Sequence, residues 1–173
     1  MSDRIFIGVA WPYANGPLHL GHLAGCYLAA DIFARFHRLN GDEVLMVSGS
    51  DSHGTPIMRK ADDEGITPRD VVEKYHASFL DSFERLGITF DLFTNTMTAN
   101  HRETVSDLML KLNEKGLLYG ATMKVTYSPE FQRFLPDRYV QGTCPHCADP
   151  DARGDQCDSC GRILDPIDLI NPT

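Results

Sequence analysis

Positive charge is scarce in this 173-residue chain: 16 lysines and arginines stand against 24 acidic residues, for a formal net charge of −8. That balance excludes nucleic-acid binding through an overall positive field. It leaves room for a local basic strip, with Arg133, Arg138 and Arg153 as candidates, each equally readable as an ordinary solvated arginine. No apolar run approaches the length of a membrane span, and the first residues, MSDRIFIG, carry no signal-peptide pattern. A cytoplasmic, reducing setting with no membrane partner is therefore expected. There is one tryptophan, no internal repeat and no low-complexity tract. Both common phosphate loops are missing, since neither G-x-x-x-x-G-K-[ST] nor G-x-G-x-x-G occurs.

What is present reads as a globular α/β pattern. Apolar residues make up 42% of a chain long enough for one domain, or for a domain with a small appendage. Ile, Phe and Val over 4–10 spell a buried strand bounded by Pro12. From Pro17 to Leu39, apolar residues fall at helical spacing, and Asn40-Gly41 supplies the stop. EVLMVSGS, 43–50, is a second buried strand, and a short helix follows from Pro56 toward Gly65. Thr67-Pro68-Arg69-Asp70 is the cap of a further helix, with Val71, Val72, Tyr75, Phe79, Phe83 and Leu86 on one stripe and Gly87 at its end. ITFDLF is the third strand candidate, and residues 101–115 form another amphipathic helix ending at Gly116. This alternation predicts a doubly wound parallel, Rossmann-type sheet. After Gly116 come short strands and turns, broken by Pro129 and Pro136, and then two cysteine pairs.

The turn after the first strand is the candidate site. In WPYANGPLHLGH, Asn15 or Gly16 can cap the coming helix and Pro17 suits its first position. His19 and His22 lie three apart, so they share one face near the helix start, with Gly21 leaving bare backbone between them. Two imidazoles and a helix N-terminus make an anion cradle, with phosphate as its natural guest. The same spacing also suits a surface turn whose histidines cap or solvate.

The cysteines carry a second signal. Cys144-x-x-Cys147 and Cys157-x-x-Cys160, nine residues apart, have the spacing of two knuckles closing on one Zn²⁺. Four thiolates leave no open position for water, so such a zinc is structural. Two redox-active pairs are the alternative, without a thioredoxin-like context. His146, inside the first knuckle, is a bystander. Cys26 stands alone on the apolar side of a helix as a small core residue.

HLGH after a first strand resembles the HIGH signature of class I aminoacyl-tRNA synthetases. WPYANGPLHLGH, VSGSDSHGTPI, FLPDRYVQGTCP and GDQC together resemble the methionyl-tRNA synthetase family, over nearly the whole chain. The resemblance implies an ATP-dependent methionine–tRNA ligase with L-methionine, ATP with Mg²⁺, and tRNA(Met) as substrates. It puts His19 and His22 at the ATP phosphates as the catalytic pair, with Asn15 also at ATP and Gly21 admitting the adenine ring. It puts Asp51 on the amino group of methionine, although Asp51 also suits the cap of the next helix. Tyr13 would line the methionine pocket beside Trp11, a departure from the aliphatic residue of many relatives and either pocket wall or core. His53, in the same motif as Gly54, is expected to be structural and hydrogen-bonded.

The resemblance divides the chain into the first half of a nucleotide-binding catalytic domain, 1–116, and a truncated connective insertion with its zinc knuckle, 117–173. The family's second signature, KMSKS, is absent, as are the sheet's second half and the anticodon-binding domain. The expectation is an amino-terminal fragment, inactive alone, that self-associates through the exposed edge of strand 4–10. A non-catalytic nucleotide fold with a zinc ribbon is the competing class. A sister class I enzyme for leucine, isoleucine, valine or cysteine would share the cradle.

Overall fold

The computed structural model describes residues 2–173 except for the side chain of Arg138, so that member of the basic strip lies outside the described residues. The chain forms two compact units, one ending at Lys115 and one running Gly116–Thr173.

The first unit is built on three parallel strands, β1 (Arg4–Gly8), β2 (Glu43–Ser50) and β3 (Leu92–Asn95), in the order β1-β2-β3. Between β1 and β2 runs one helical stretch: α1 (Leu20–His22), a π turn (Leu23–Tyr27) and α2 (Leu28–Leu39). Then come α3 (Thr55–Glu64), α4 (Pro68–Leu86) and, after β3, α5 (Ala99–Glu114). Alternation decides the core. Ile7 pairs with Met46 and Ile5 with Val44, and Ile7, Val44 and Met46 pack with Tyr27, Ala34, Val71, Phe79 and Phe83. Much of the opposite side is exposed. Phe6 pairs with Leu45, and Val47 with Leu92, on a face where Phe6, Leu45 and Leu92 are 69, 50 and 54% exposed. Parallel sheets are ordinarily covered on both faces. β1 also forms an edge, with β2 on one side only among the described residues.

Local signals are realised where they were read. Thr67 and Asp70 form a reciprocal capping box, and Gly65 and Gly87 close α3 and α4 in the left-handed conformation. The third strand starts later than ITFDLF suggested. Ile88 turns into the core, and the Asp91 carboxylate takes the Met46 N–H at 2.7 Å, so pairing with β2 begins at Leu92.

The second unit has no strand longer than two residues. β4 (Tyr127–Ser128) pairs with β5 (Arg133–Phe134), β6 (Gln141–Gly142) with β7 (Ala152–Arg153), and β8 (Asp155–Gln156) with β9 (Ile163–Leu164), all antiparallel. Its apolar core cluster is Val140, Cys144, Ala152, Cys157, Leu164 and Leu169. Among the described residues no helix is long and apolar enough to cross a membrane.

Candidate active site and candidate metal centre

Past β1 the chain stays beside β2. Val9 N–H donates to Val47 O, Ala14 N–H to Asp51 O and Asp51 N–H to Pro12 O, which seats Tyr13 beside Asp51 in a parallel bridge. The buried Ser48 hydroxyl donates to Val9 O at 3.1 Å, and the Tyr27 hydroxyl to Ala10 O at 3.2 Å. Trp11, Tyr13 and Asp51 therefore share one edge at the carboxyl side of the sheet, where ligands of such folds bind.

Trp11 is neither core nor free. A Cβ on Gly49 would stand 2.7 Å from its ring and 2.6 Å from Thr94 O, so the indole lies against strand backbone that only glycine leaves open. The Trp11 and Tyr13 side chains stay 38 and 49% exposed. Asp51 does not cap α3, whose N-cap is Gly54 with no side-chain bond; its Oδ1 accepts the His53 N–H at 3.3 Å. The His53 ring donates through Nε2 to Thr96 O at 3.2 Å, a hydrogen-bonded histidine. Behind Asp51, the fully buried Ser50 hydroxyl meets His76 Nδ1 at 2.7 Å, and burial holds the His76 pKa below the usual histidine range.

The helix opens three residues later than expected, at Leu20, with His19 as its N-cap in extended conformation. Asn15 and Gly16 sit half-buried in the turn ahead, and neither is the cap. The reason is in the imidazoles. His19 Nδ1 accepts the Gly21 N–H at 3.1 Å, while His22 Nδ1 accepts the His19 N–H at 3.3 Å, a capping box made by two histidines. An accepting Nδ1 places the hydrogen of a neutral ring on Nε2, so each ring keeps one N–H donor unspent by the cap. The rings stack with centroids 3.8 Å apart. Burial, and then the neighbouring His19, lower the His22 pKa. A Cβ on Gly21 would come 2.9 Å from His19 Cε1, so the nearest claimant on that bare backbone is the His19 ring itself. The π turn that follows carries half-buried Cys26, packed against the core. Such widened turns recur at functional sites.

Sequence patterning missed one feature. Thr98 accepts the His101 N–H at 3.2 Å and starts α5 at Ala99, again at the carboxyl side of a strand. A cavity of about 430 Å³ opens there, lined by His53, Thr96, Met97, His101 and Arg102 among others. The His101 ring centroid lies 6.2 Å from that of Trp11. Thr98, a strand-to-helix cap residue, was the available signal.

In the second unit the four cysteine sulfurs all lie within 4.8 Å of one another and could hold one metal ion. Cys144 Sγ is 4.0 Å from Cys160 Sγ, and Cys147 Sγ is 3.7 Å from Cys157 Sγ. Each knuckle is a tight turn: Ala148 N–H donates to Cys144 O and Gly161 N–H to Cys157 O, with Ala148 and Gly161 at φ 61° and 71°. His146 stands outside the set, its ring 3.2 Å from the Arg162 guanidinium.

A family model described as tRNA synthetases class I (M) matches residues 5–173. The methionine–tRNA ligase of Roseiflexus castenholzii is 61% identical over 172 residues, covering 99% of this chain and 29% of its own length. That of Thermoplasma volcanium is 50% identical over 169 residues, covering 98% and 31%. Among solved structures, Mycobacterium tuberculosis methionyl-tRNA synthetase in complex with methionyl-adenylate is similar with a TM-score of 0.72 and 26% identity, over 93% of this chain and 30% of that one. The chain thus spans about three tenths of the length of these relatives.

Proposed function

The chain belongs to the class I tRNA synthetases of the (M) family, and from that premise we propose that it is part of a methionine–tRNA ligase. The whole enzyme activates L-methionine with ATP and Mg²⁺ to methionyl-adenylate, releases pyrophosphate, and transfers the methionyl group to tRNA(Met). The observation that carries this is the convergence of Trp11, Tyr13 and Asp51 on one edge through the Tyr13–Asp51 bridge.

In this proposal Asp51 receives the methionine ammonium, a charge-assisted bond. Tyr13 and Trp11 offer aromatic edges to the thioether. The methionine carboxylate is ionised at neutral pH and attacks the α-phosphorus without a general base. Catalysis then consists of holding two anions together and stabilising charge on the transferring phosphate. The Nε2–H donors of His19 and His22 serve the phosphates, with Asn15 and the start of the helix beside them. Their mutual capping and their substrate role coexist, because capping uses Nδ1 only.

Zinc suits the four thiolates. A tetrahedral site with metal–sulfur bonds of about 2.3 Å has sulfurs about 3.8 Å apart, and the separations of 3.7 and 4.0 Å fall on either side of that. Held by Cys144, Cys147, Cys157 and Cys160, a zinc ion would cross-link the two knuckles and, with no open position for water, would be structural. Residues 1–116 would form the first half of the catalytic domain and 117–173 the connective insertion, in a cytoplasmic enzyme. The chain alone would self-associate through β1 and its exposed face, giving a mass above 19.3 kDa in light scattering.

The test is methionine-dependent ATP–pyrophosphate exchange by the full-length gene product. Asp51→Asn is expected to abolish exchange at ordinary methionine concentrations while ATP still binds. Exchange driven by leucine in place of methionine would overturn the assignment.

A further inference from the structure

Given the ligase reading above, on which this rests, we infer that His76 on α4 is a positioning residue for methionine activation, acting on Asp51 through the Ser50 hydroxyl. Ser50 is the last residue of β2 and is fully buried, and Asp51 follows it directly. Its Oγ lies 2.7 Å from His76 Nδ1, across 26 residues of chain.

Asp51 is held mainly through its backbone. Its N–H donates to Pro12 O at 2.8 Å, and its carbonyl accepts the Ala14 N–H at 2.9 Å. Its carboxylate accepts the His53 N–H at 3.3 Å, a bond within its own turn. Beside it, the Ser52 N–H donates to the Thr96 hydroxyl at 3.0 Å and the Thr96 N–H to Ser50 O at 3.3 Å. Those bonds run sideways, to the turns after β1 and β3. The Ser50–His76 bond runs the other way, from the sheet to a helix that packs on it. It fixes the direction in which the strand end delivers Asp51, and binding and reaction are sensitive to misplacements of about 1 Å.

Two observations separate this role from plain satisfaction of a buried hydroxyl. Ser48, equally buried and two residues earlier, is satisfied by carbonyls, Val9 O at 3.1 Å and Ala10 O at 3.3 Å. A serine on this face of β2 has no general need of an imidazole. Nor does the His76 ring fill space, because it borders a cavity of about 250 Å³ together with Val72, Glu73, Asn95 and Met97. The Phe93 ring on β3, with its centroid 5.5 Å away, steadies it. Burial lowers the His76 pKa, so at neutral pH the uncharged ring can accept the Ser50 hydroxyl hydrogen at Nδ1.

The experiment uses the full-length enzyme and methionine-dependent ATP–pyrophosphate exchange. Ser50→Ala and His76→Ala are each expected to raise KM for methionine about fivefold, the worth of one hydrogen bond. The kcat of exchange and KM for ATP should stay unchanged, since a misplaced Asp51 weakens methionine binding alone. The double variant should be no worse than either single one, because both remove the same bond. His76→Asn should recover most of the loss, its amide oxygen standing where Nδ1 stands, whereas the longer His76→Gln should not. Ser50→Ala removes a single atom, so the test stands even where a His76 variant fails to fold. An unchanged methionine KM would overturn the inference, as would single losses that multiply in the double variant. A fall in kcat with a rise in both KM values would also overturn it, showing a general structural role. Failure of the wild type to exchange at all would instead overturn the ligase proposal.

Discussion

The two units of this chain hold together by different means. The first buries Met46, Ile57, Val71, Phe79 and Phe83 between a sheet and its helices. The second has an apolar core cluster of six buried residues, two of them cysteines, and strands of two residues each. A 58-residue stretch with so small a core needs a staple. The comparison teaches that cysteine means different things in one molecule. Cys26 packs as a small apolar residue, whereas Cys144 and Cys157 are at once core and candidate ligands.

The largest expected effect breaks the second unit alone. Binding of structural zinc at such a site is worth about 10 kcal/mol or more. A strong chelator, or Cys157→Ser, should abolish amide-exchange protection in Gly116–Thr173 and leave that of α4 intact. Equal loss in both units would show that they do not stand separately. Next in size is the mirror experiment. Phe79 is fully buried, so Phe79→Ala should cost the first unit about 3–5 kcal/mol in denaturant unfolding while one zinc stays bound.

Smaller effects sharpen the comparison within the first unit. Gly49→Ala must move either Trp11 or the backbone at Thr94, for about 1–3 kcal/mol, and should shift the emission of the only tryptophan. An unshifted emission would mean that the indole does not lie on Gly49. The smallest effect is a pH dependence. His22 and His76 have lowered pKa values, so the native state binds protons less readily than the unfolded chain. Stability should be flat above the ordinary histidine pKa of about 6.5 and fall as pH drops below it. Denaturant midpoints between pH 8 and 5.5 check the sign, and His76→Gln should flatten part of the slope.

Much of the fold was legible because its signals are local. The Thr67–Asp70 box spans three residues, Gly65 and Gly87 stop helices by their own backbone freedom, and β2 matched its apolar run at both ends. The third strand was misplaced because its start depends on the Asp91 carboxylate and the Met46 N–H, 45 residues apart in the chain. The helix start was misplaced for another reason: histidine is an uncommon cap, and Asn15 or Gly16, with Pro17 as the first helical residue, offered a more ordinary start.

The candidate site divides the same way. HxGH, the Asp51 turn and the cysteine spacings stand in the sequence as words, and the order of strands and helices follows from its periodicity. Sequence by itself determined those parts, because each is written within one turn of helix or strand. Tertiary structure alone decided that Tyr13 meets Asp51, that Trp11 rests on Gly49, and that His101 and Arg102 border a cavity beside that tryptophan. Each of those contacts joins groups 38 residues or more apart, as Trp11 and Gly49 are. Parallel pairing across crossovers brings them together, and local periodicity cannot encode which distant backbone a side chain will find.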